Sequence, residues 1–286
     1  PLDIRGDHSD IMLAMNTGWI TLMAADAQAV YDMNVMAPKI GEEMSVRLPV
    51  MVAFDGFFTS HQKRRVEIFE DDQVVRDFLG PFVATVSSVD PKTPVTIGPY
   101  MNDPDQINNK KQQADAIVRS YGVIRKVFAE YGELSGRRYD LVEGYRMEDA
   151  EAALFILNSA AETAKEAVDA LRKEGLKVGL IRPNVIRPFP IEEVRALLSN
   201  VKGLVVADRQ DNFGGWGGAM AIEVRAALQG VKGNATRVAA RVYGTGGKEF
   251  FVEDAAAMLR EAVEIAKTGK VPVPYAYFGA NPGDAS

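Results

Sequence analysis

Cysteine is absent from the 286 residues, and histidine occurs only twice, as His8 and His61. Such a sequence holds no disulfide and no thiolate-bound zinc or iron–sulfur cluster of its own, and a histidine-rich transition-metal site is excluded as well. Long hydrophobic runs are missing: nothing approaches the roughly 20 apolar residues that span a bilayer, and the first residues show no signal-peptide pattern. Positive charge is not in excess either. Lys and Arg number 33 against 39 Asp and Glu, for a formal net charge of -6. The one basic run, Lys63-Arg64-Arg65, is too short for the clustered cations that nucleic-acid binding needs. No membrane and no nucleic acid is expected as a partner, and the cytoplasm is the expected compartment.

Hydrophobic residues make up 47% and charged residues 25%, the balance of an ordinary folded protein, and the length favours two domains over one. The sequence opens at Pro1, with no methionine and no helix cap before Arg5. It reads as the middle of a longer polypeptide whose N-terminal part precedes residue 1.

Apolar residues from Thr17 to Ile40 recur at helical spacing, with Pro38 and Gly41 marking an end. "LPVMVAFDG", 48–56, reads as a buried strand delivering "DGFFTSH" at its C-terminal tip. Five prolines between 80 and 104 predict a loop-rich excursion, and 105–131 an amphipathic helix. Thereafter strands at 152–158, 177–183, 203–209 and 236–244 alternate with helices from Ser159 to Arg172, at 191–198, 219–230 and 252–269. Ser159 with Glu162 resembles a capping box, and Gly175 a helix stop. Alternation of this kind predicts an α/β fold with a mainly parallel sheet covered on both faces. The tail from Lys270 is expected to drape over a neighbouring surface.

Four motifs carry candidate chemistry. "DRQDNFGGWGGAMAIEV" joins a strand to a helix, the setting of a dinucleotide loop, but its glycines do not give G-x-G-x-x-G, and Asp208 and Asp211 would repel a pyrophosphate. A tight backbone crossing is the simpler reading. "YGTGGKEF", 243–250, reads as a turn of positive-φ glycines, although Lys248 is placed to meet a phosphate. "FDGFFTSH" puts Asp55, Thr59, Ser60 and His61 at a strand tip, where open sheets bind ligands; bracing of the loop is the alternative. In "RGDHSDIMLAMNTGW", Asp7, His8, Ser9 and Asp10 fit either an acid–base pair or a helix cap.

Taken in order and spacing, "GDHSDIMLAMNTGW", "FDGFFTSHQ", "LRKEGLKVGLIRPNVIRPFP", "DRQDNFGGWGGA" and "YGTGGKEF" resemble the alpha chain of the thiamine-diphosphate-dependent 2-oxoacid:ferredoxin oxidoreductases, over nearly the whole sequence. The resemblance implies that 1–140 is the latter part of a thiamine-binding-type α/β domain, 141–269 a transketolase C-terminal-like domain, and 270–286 an extended tail. It implies thiamine diphosphate with Mg2+ at an interface with a partner chain, [4Fe-4S] clusters on beta and gamma/delta-type subunits only, ferredoxin as acceptor and a small 2-oxoacid as substrate. The family's activating glutamate lies upstream of residue 1, so no catalytic residue is expected in this segment, and the segment alone is expected to be inactive.

The same resemblance implies a substrate pocket formed by Asp3, Arg5, Met15 and Asn16, and a loop near the cofactor braced by Asp7, His8 and Ser9. Pyruvate-type members resemble this sequence except that an arginine, which holds the substrate carboxylate, stands where Met15 stands here. Methionine cannot replace a bidentate cation. With the added charges of Asp3 and Arg5, this makes oxalate the expected substrate, with pyruvate or another 2-oxoacid, cleaved with coenzyme A, as the alternative. A transketolase-like carbon transfer and a non-catalytic interaction module are the remaining readings.

Overall fold

The computed structural model describes residues 4–84, 89–95, 97, 98 and 100–281. Two sheets organise the chain. In the first, β1 (Ile20–Met23) and β2 (Val50–Ala53) run parallel, joined by the crossover helix α2 (Ala27–Glu42). The short helix α1 (Ser9–Ala14) precedes them, and α3 (Asp72–Leu79) and α4 (Asp105–Ser135) follow. The third strand of this sheet comes from far along the chain: β6 (Val185–Arg187) pairs antiparallel with β1.

The second sheet has six strands in the order β3-β5-β4-β7-β8-β9. Its elements are β3 (Val142–Tyr145), β4 (Ala152–Ile156), α5 (Asn158–Lys173), β5 (Val178–Pro183), α6 (Ile191–Leu197), β7 (Gly203–Asp208), α7 (Ala219–Leu228), β8 (Arg237–Val242), α8 (Val252–Thr268) and β9 (Tyr275–Tyr277). All its pairings are parallel except β3 with β5. Every residue of β4, β5 and β7 is buried, as expected of strands covered on both faces. Alanines 160, 161, 164 and 167 let α5 lie close on one face, beside α8. Gly203 admits α8 beside it: a Cβ there would lie 2.0 Å from the Ala262 carbonyl oxygen of that helix. From β4 the chain steps to β5 on one side, and β7 later returns to the other, so the C-terminal ends of β4 and β7 flank the crevice where open α/β sheets bind ligands. The tips of β1 and β2 face that crevice.

The mixed α/β architecture with a mainly parallel second sheet agrees with the alternation read from the sequence. Three local expectations need correction. The helix anticipated from Thr17 begins only at Ala27, because Ile20 to Met23 form a fully buried strand. Its amides are capped instead by Asp26, which accepts from Ala29 N at 2.7 Å, and α2 runs through Pro38 to Glu42. The Ser159–Glu162 capping box does not form, because the Ser159 amide and hydroxyl both donate to Asp55, 104 residues away. The tail does not simply drape: it adds β9 to the sheet edge, held by Tyr275 and Tyr277, whose hydroxyls donate to Asp211 at 2.7 and 2.9 Å.

Candidate active site

Asp55 lies two residues past the end of β2 and is almost wholly buried. His8, equally buried, donates from Nε2 to Asp55 Oδ1 at 2.8 Å, and Arg209, just past β7, reaches the same oxygen through Nη1 at 3.3 Å. The second carboxylate oxygen takes the Ser159 amide at 2.9 Å and the Ser159 hydroxyl. Burial by itself raises the Asp55 carboxyl; the His8 hydrogen bond, Arg209 and Ser159 outweigh it and hold the group well below the ordinary carboxylate range. The guanidinium of Arg209 also lies over the rings of Phe58 and Tyr243, 4.8 and 5.2 Å from their centroids. Residues from before α1, from the β2 tip, from the start of α5 and from the β7 tip thus meet on one ionised carboxylate.

Asn158 closes the arrangement. It adopts φ of +51°, a conformation asparagine tolerates better than most residues, and its Nδ2 donates to the Ala24 carbonyl at 2.8 Å and the Ala53 carbonyl at 3.3 Å. The ends of β1 and β2 are thereby tied to the start of α5. A cavity of about 250 Å³ lies here, bordered by His8, Asn158, Ile11, Met23, Val52 and Phe54. A second, about 420 Å³, opens on the other side of Ser159, with Thr59, Arg64 and Arg65 on its wall.

Asp208 ends β7 and is fully buried against the N-terminus of α7, accepting from Met220 N at 2.9 Å and Ala221 N at 3.1 Å. Desolvation pushes its carboxyl up to about 6, opposed by those amides. A Cβ on Gly218 would fall 2.3 Å from the Asp208 side chain, so the glycine admits the carboxylate to the helix end. The place where a dinucleotide loop would hold pyrophosphate is thus filled from within. Lys248, the other candidate phosphate contact, donates to the Gly279 carbonyl, and Gly244, Gly246 and Gly247 take the positive φ values expected of turn residues.

The remaining anticipated residues are scattered. Asp3 lies outside the described residues. Arg5 is exposed and packs over the turn at Gly247, where an added Cβ would lie 2.1 Å from that of Arg5. Met15 is buried in the core with Met12 and Met23. Asn16 is exposed and accepts from Arg187 at 3.1 Å. Asp7 takes the Ser9 amide at 2.8 Å, a turn brace. Thr59 is buried on the wall of the larger cavity. Ser60 and His61 are exposed and hydrogen-bond each other at 2.7 Å, with His61 stacked on Phe57. Sequence reasoning paired none of His8, Asp55 and Arg209, and passed over Asn158. The available signal was positional: Asn158, Asp208 and Arg209 stand at or just beyond the C-terminal ends of parallel strands.

Comparison with known proteins agrees with this architecture. Residues 1–129 match the family described as pyruvate flavodoxin/ferredoxin oxidoreductase, thiamine diphosphate-binding. Residues 150–255 match pyruvate:ferredoxin oxidoreductase core domain II. The chain is 38% identical over 278 residues to pyruvate synthase subunit PorA of Thermotoga maritima, covering 95% of this chain and 67% of that one. It is 32% identical over 272 residues to ketoisovalerate oxidoreductase subunit VorA of Pyrococcus horikoshii, covering 95% and 68%. Among solved structures, 2-oxoglutarate:ferredoxin oxidoreductase from Magnetococcus marinus shares the fold, with a TM-score of 0.59, 18% identity, and coverage of 91% of this chain and 46% of that chain. The chain belongs to the alpha-type subunit family of the 2-oxoacid:ferredoxin oxidoreductases. It spans about two thirds of the length of its curated relatives.

Proposed function

We propose that the chain is part of the alpha-type subunit of a 2-oxoacid:ferredoxin oxidoreductase acting on pyruvate or a short branched 2-oxoacid with coenzyme A. The observation that carries this reading is the 38% identity to a pyruvate synthase subunit across 95% of the chain. Beta and gamma/delta-type subunits carrying [4Fe-4S] clusters, and ferredoxin as acceptor, complete the proposed assembly in the cytoplasm. No helix among the described residues is long and apolar enough to cross a membrane. The division into 1–140, 141–269 and 270–286 belongs to the same proposal, with the first sheet borrowing β6 from the second segment.

The smaller cavity fits one edge of thiamine diphosphate: apolar side chains share its wall with Asp7 and Asp10, and two buried polar atoms beside it, His8 Nδ1 and Asn158 Oδ1, have no partner among the described residues. Asp208 occupies the α7 amides, which closes that helix end to a diphosphate, and thiamine diphosphate with Mg2+ belongs in this proposal at the interface with a partner chain. When bound, the cofactor supplies a nucleophilic carbon and holds the electrons left as CO2 departs. This chain's part is to orient it: Asp55, held by Arg209 and Ser159, fixes the His8 ring, while Asn158 fixes the strand tips.

Oxalate is the second reading, which rests on the missing arginine at position 15 alone, since the Met15 side chain is buried in the core. The test is viologen reduction by the assembled full-length enzyme offered pyruvate, 2-oxoisovalerate and oxalate, with and without coenzyme A. Coenzyme A-dependent turnover of either 2-oxoacid is the expected result. Turnover of oxalate alone, independent of coenzyme A, would replace it with the second reading.

A further inference from the structure

His8 is 5% exposed and Asn158 1%, and both border the cavity at the tips of β1 and β2. Buried polar atoms are nearly always hydrogen-bonded, yet His8 Nδ1 and Asn158 Oδ1 have no partner among the described residues. The rest of each side chain is fully engaged. The His8 amide donates to the Arg209 carbonyl at 3.0 Å and Nε2 to Asp55, while Asn158 Nδ2 spans two strand ends. Neither side chain is free to rotate toward another partner without breaking those bonds.

The tautomer of His8 follows from its surroundings. Asp55 is an ionised acceptor, so the proton of a neutral imidazole sits on Nε2, and Nδ1 carries the lone pair. Arg209 brings its guanidinium to the same Asp55 oxygen, 3.3 Å away. The other titratable groups nearby are acidic side chains. Asp7 and Asp10 take the Ser9 and Ile11 amides, and Asp208 takes the amides of α7. Asn158 Oδ1, and His8 Nδ1 in that tautomer, are orphan acceptors at one cavity whose wall also carries Asp7 and Asp10, and together they call for an occupant that donates.

We propose that His8 presents an unprotonated Nδ1 to this cavity and, together with Asn158 Oδ1, accepts hydrogen bonds from an amino or hydroxyl group of a bound ligand, with Asp55 as the positioning residue that sets the tautomer. The identity of the donor rests on the functional reading above; the tautomer does not. Thiamine diphosphate and coenzyme A both carry such donors.

The test is 15N NMR of the assembled full-length enzyme with labelled histidine in this chain alone, the His8 signals being assigned by their loss in His8→Gln. Spectra are compared with no addition, with thiamine diphosphate, and with coenzyme A. The expected result is a protonated Nε2, an unprotonated Nδ1, and movement of the Nδ1 signal on adding thiamine diphosphate. Movement with coenzyme A alone would keep the acceptor role and reassign the donor. A protonated Nδ1, or no movement with either compound, would overturn the proposal. His8→Gln retains a donor toward Asp55 but has no acceptor at the position of Nδ1, so it is expected to weaken binding of the responding compound about tenfold, the scale of one hydrogen bond, with little change in melting temperature. An unchanged affinity would also overturn it. Failure of the same preparation to reduce viologen with any 2-oxoacid would count against the functional reading, while the tautomer and affinity would still decide the role of His8.

Discussion

Asp55 and Asp208 stand at or just beyond the C-terminal ends of parallel strands, one in each sheet, and both are buried, yet the chain stabilises them in opposite ways. Asp55 is surrounded by side chains recruited from distant segments, including a guanidinium, and stays ionised far into acid. Among the described residues Asp208 receives two backbone amides at its oxygens, and desolvation lifts its carboxyl to about 6 against them and the more distant charge of Arg225. A helix N-terminus satisfies a carboxylate's hydrogen-bonding capacity, but its partial charge does not match a full counter-ion against burial. The first sheet's tip is thus an electrostatic junction between segments, and the second's is a local helix cap.

The largest effect expected from this contrast is that of Asp55→Asn. Removing the charge leaves Arg209 buried without its counter-ion, at a cost of about 3–5 kcal/mol. A urea midpoint for the full-length protein near that of the wild type would show that Arg209 finds another partner. Asp208→Asn probes the other side through pH. The folded-state carboxyl lies above its ordinary value of 3.8, so the folded state holds the proton more tightly, and the associated stability is full below pH about 4 and is lost as pH rises through about 6. That loss is on the order of 3 kcal/mol. Melting temperatures measured from pH 4 to pH 7.5 should fall more steeply for the wild type than for the variant; parallel curves would exonerate Asp208. Asp55, depressed instead, contributes stability that is present above its ordinary value of 3.8 and disappears as pH falls below it. The smallest effect is that of Ser159→Ala, which removes one hydroxyl from Asp55 and leaves the amide, for about 1–2 kcal/mol and a modest shift of the acid limb alone.

Much of the second sheet was legible because its strands and helices have distinct hydrophobic periods: β4, β5, β7 and β8 and the helices between them fall within a few residues of expectation. β1 was not, since Trp19, Leu22 and Met23 fit helical spacing as well as a buried strand, and burial on both faces erases the alternation that separates the two. β3 and β6 are short antiparallel additions whose existence depends on partners elsewhere. At the site, the motifs around His8 and Asp55 stood out individually. Their union was invisible because it is made by bonds between segments 47 to 154 residues apart, and Ser159, which looks like a local cap, is used for a distant carboxylate.

The direct succession of β5 and β6 bears on the order in which the chain takes shape. Asn184 alone separates a strand of the second sheet from a strand of the first, and Val185 lies opposite Leu22. As the polypeptide leaves the ribosome, β1 emerges well before β6, and the edge that β6 covers waits until residue 187 has been made. Contacts of such long reach are slow to form, and an uncovered strand edge invites foreign pairing. The early half of this chain is therefore the part in need of shelter during synthesis, and the later half supplies the strand that ends that need.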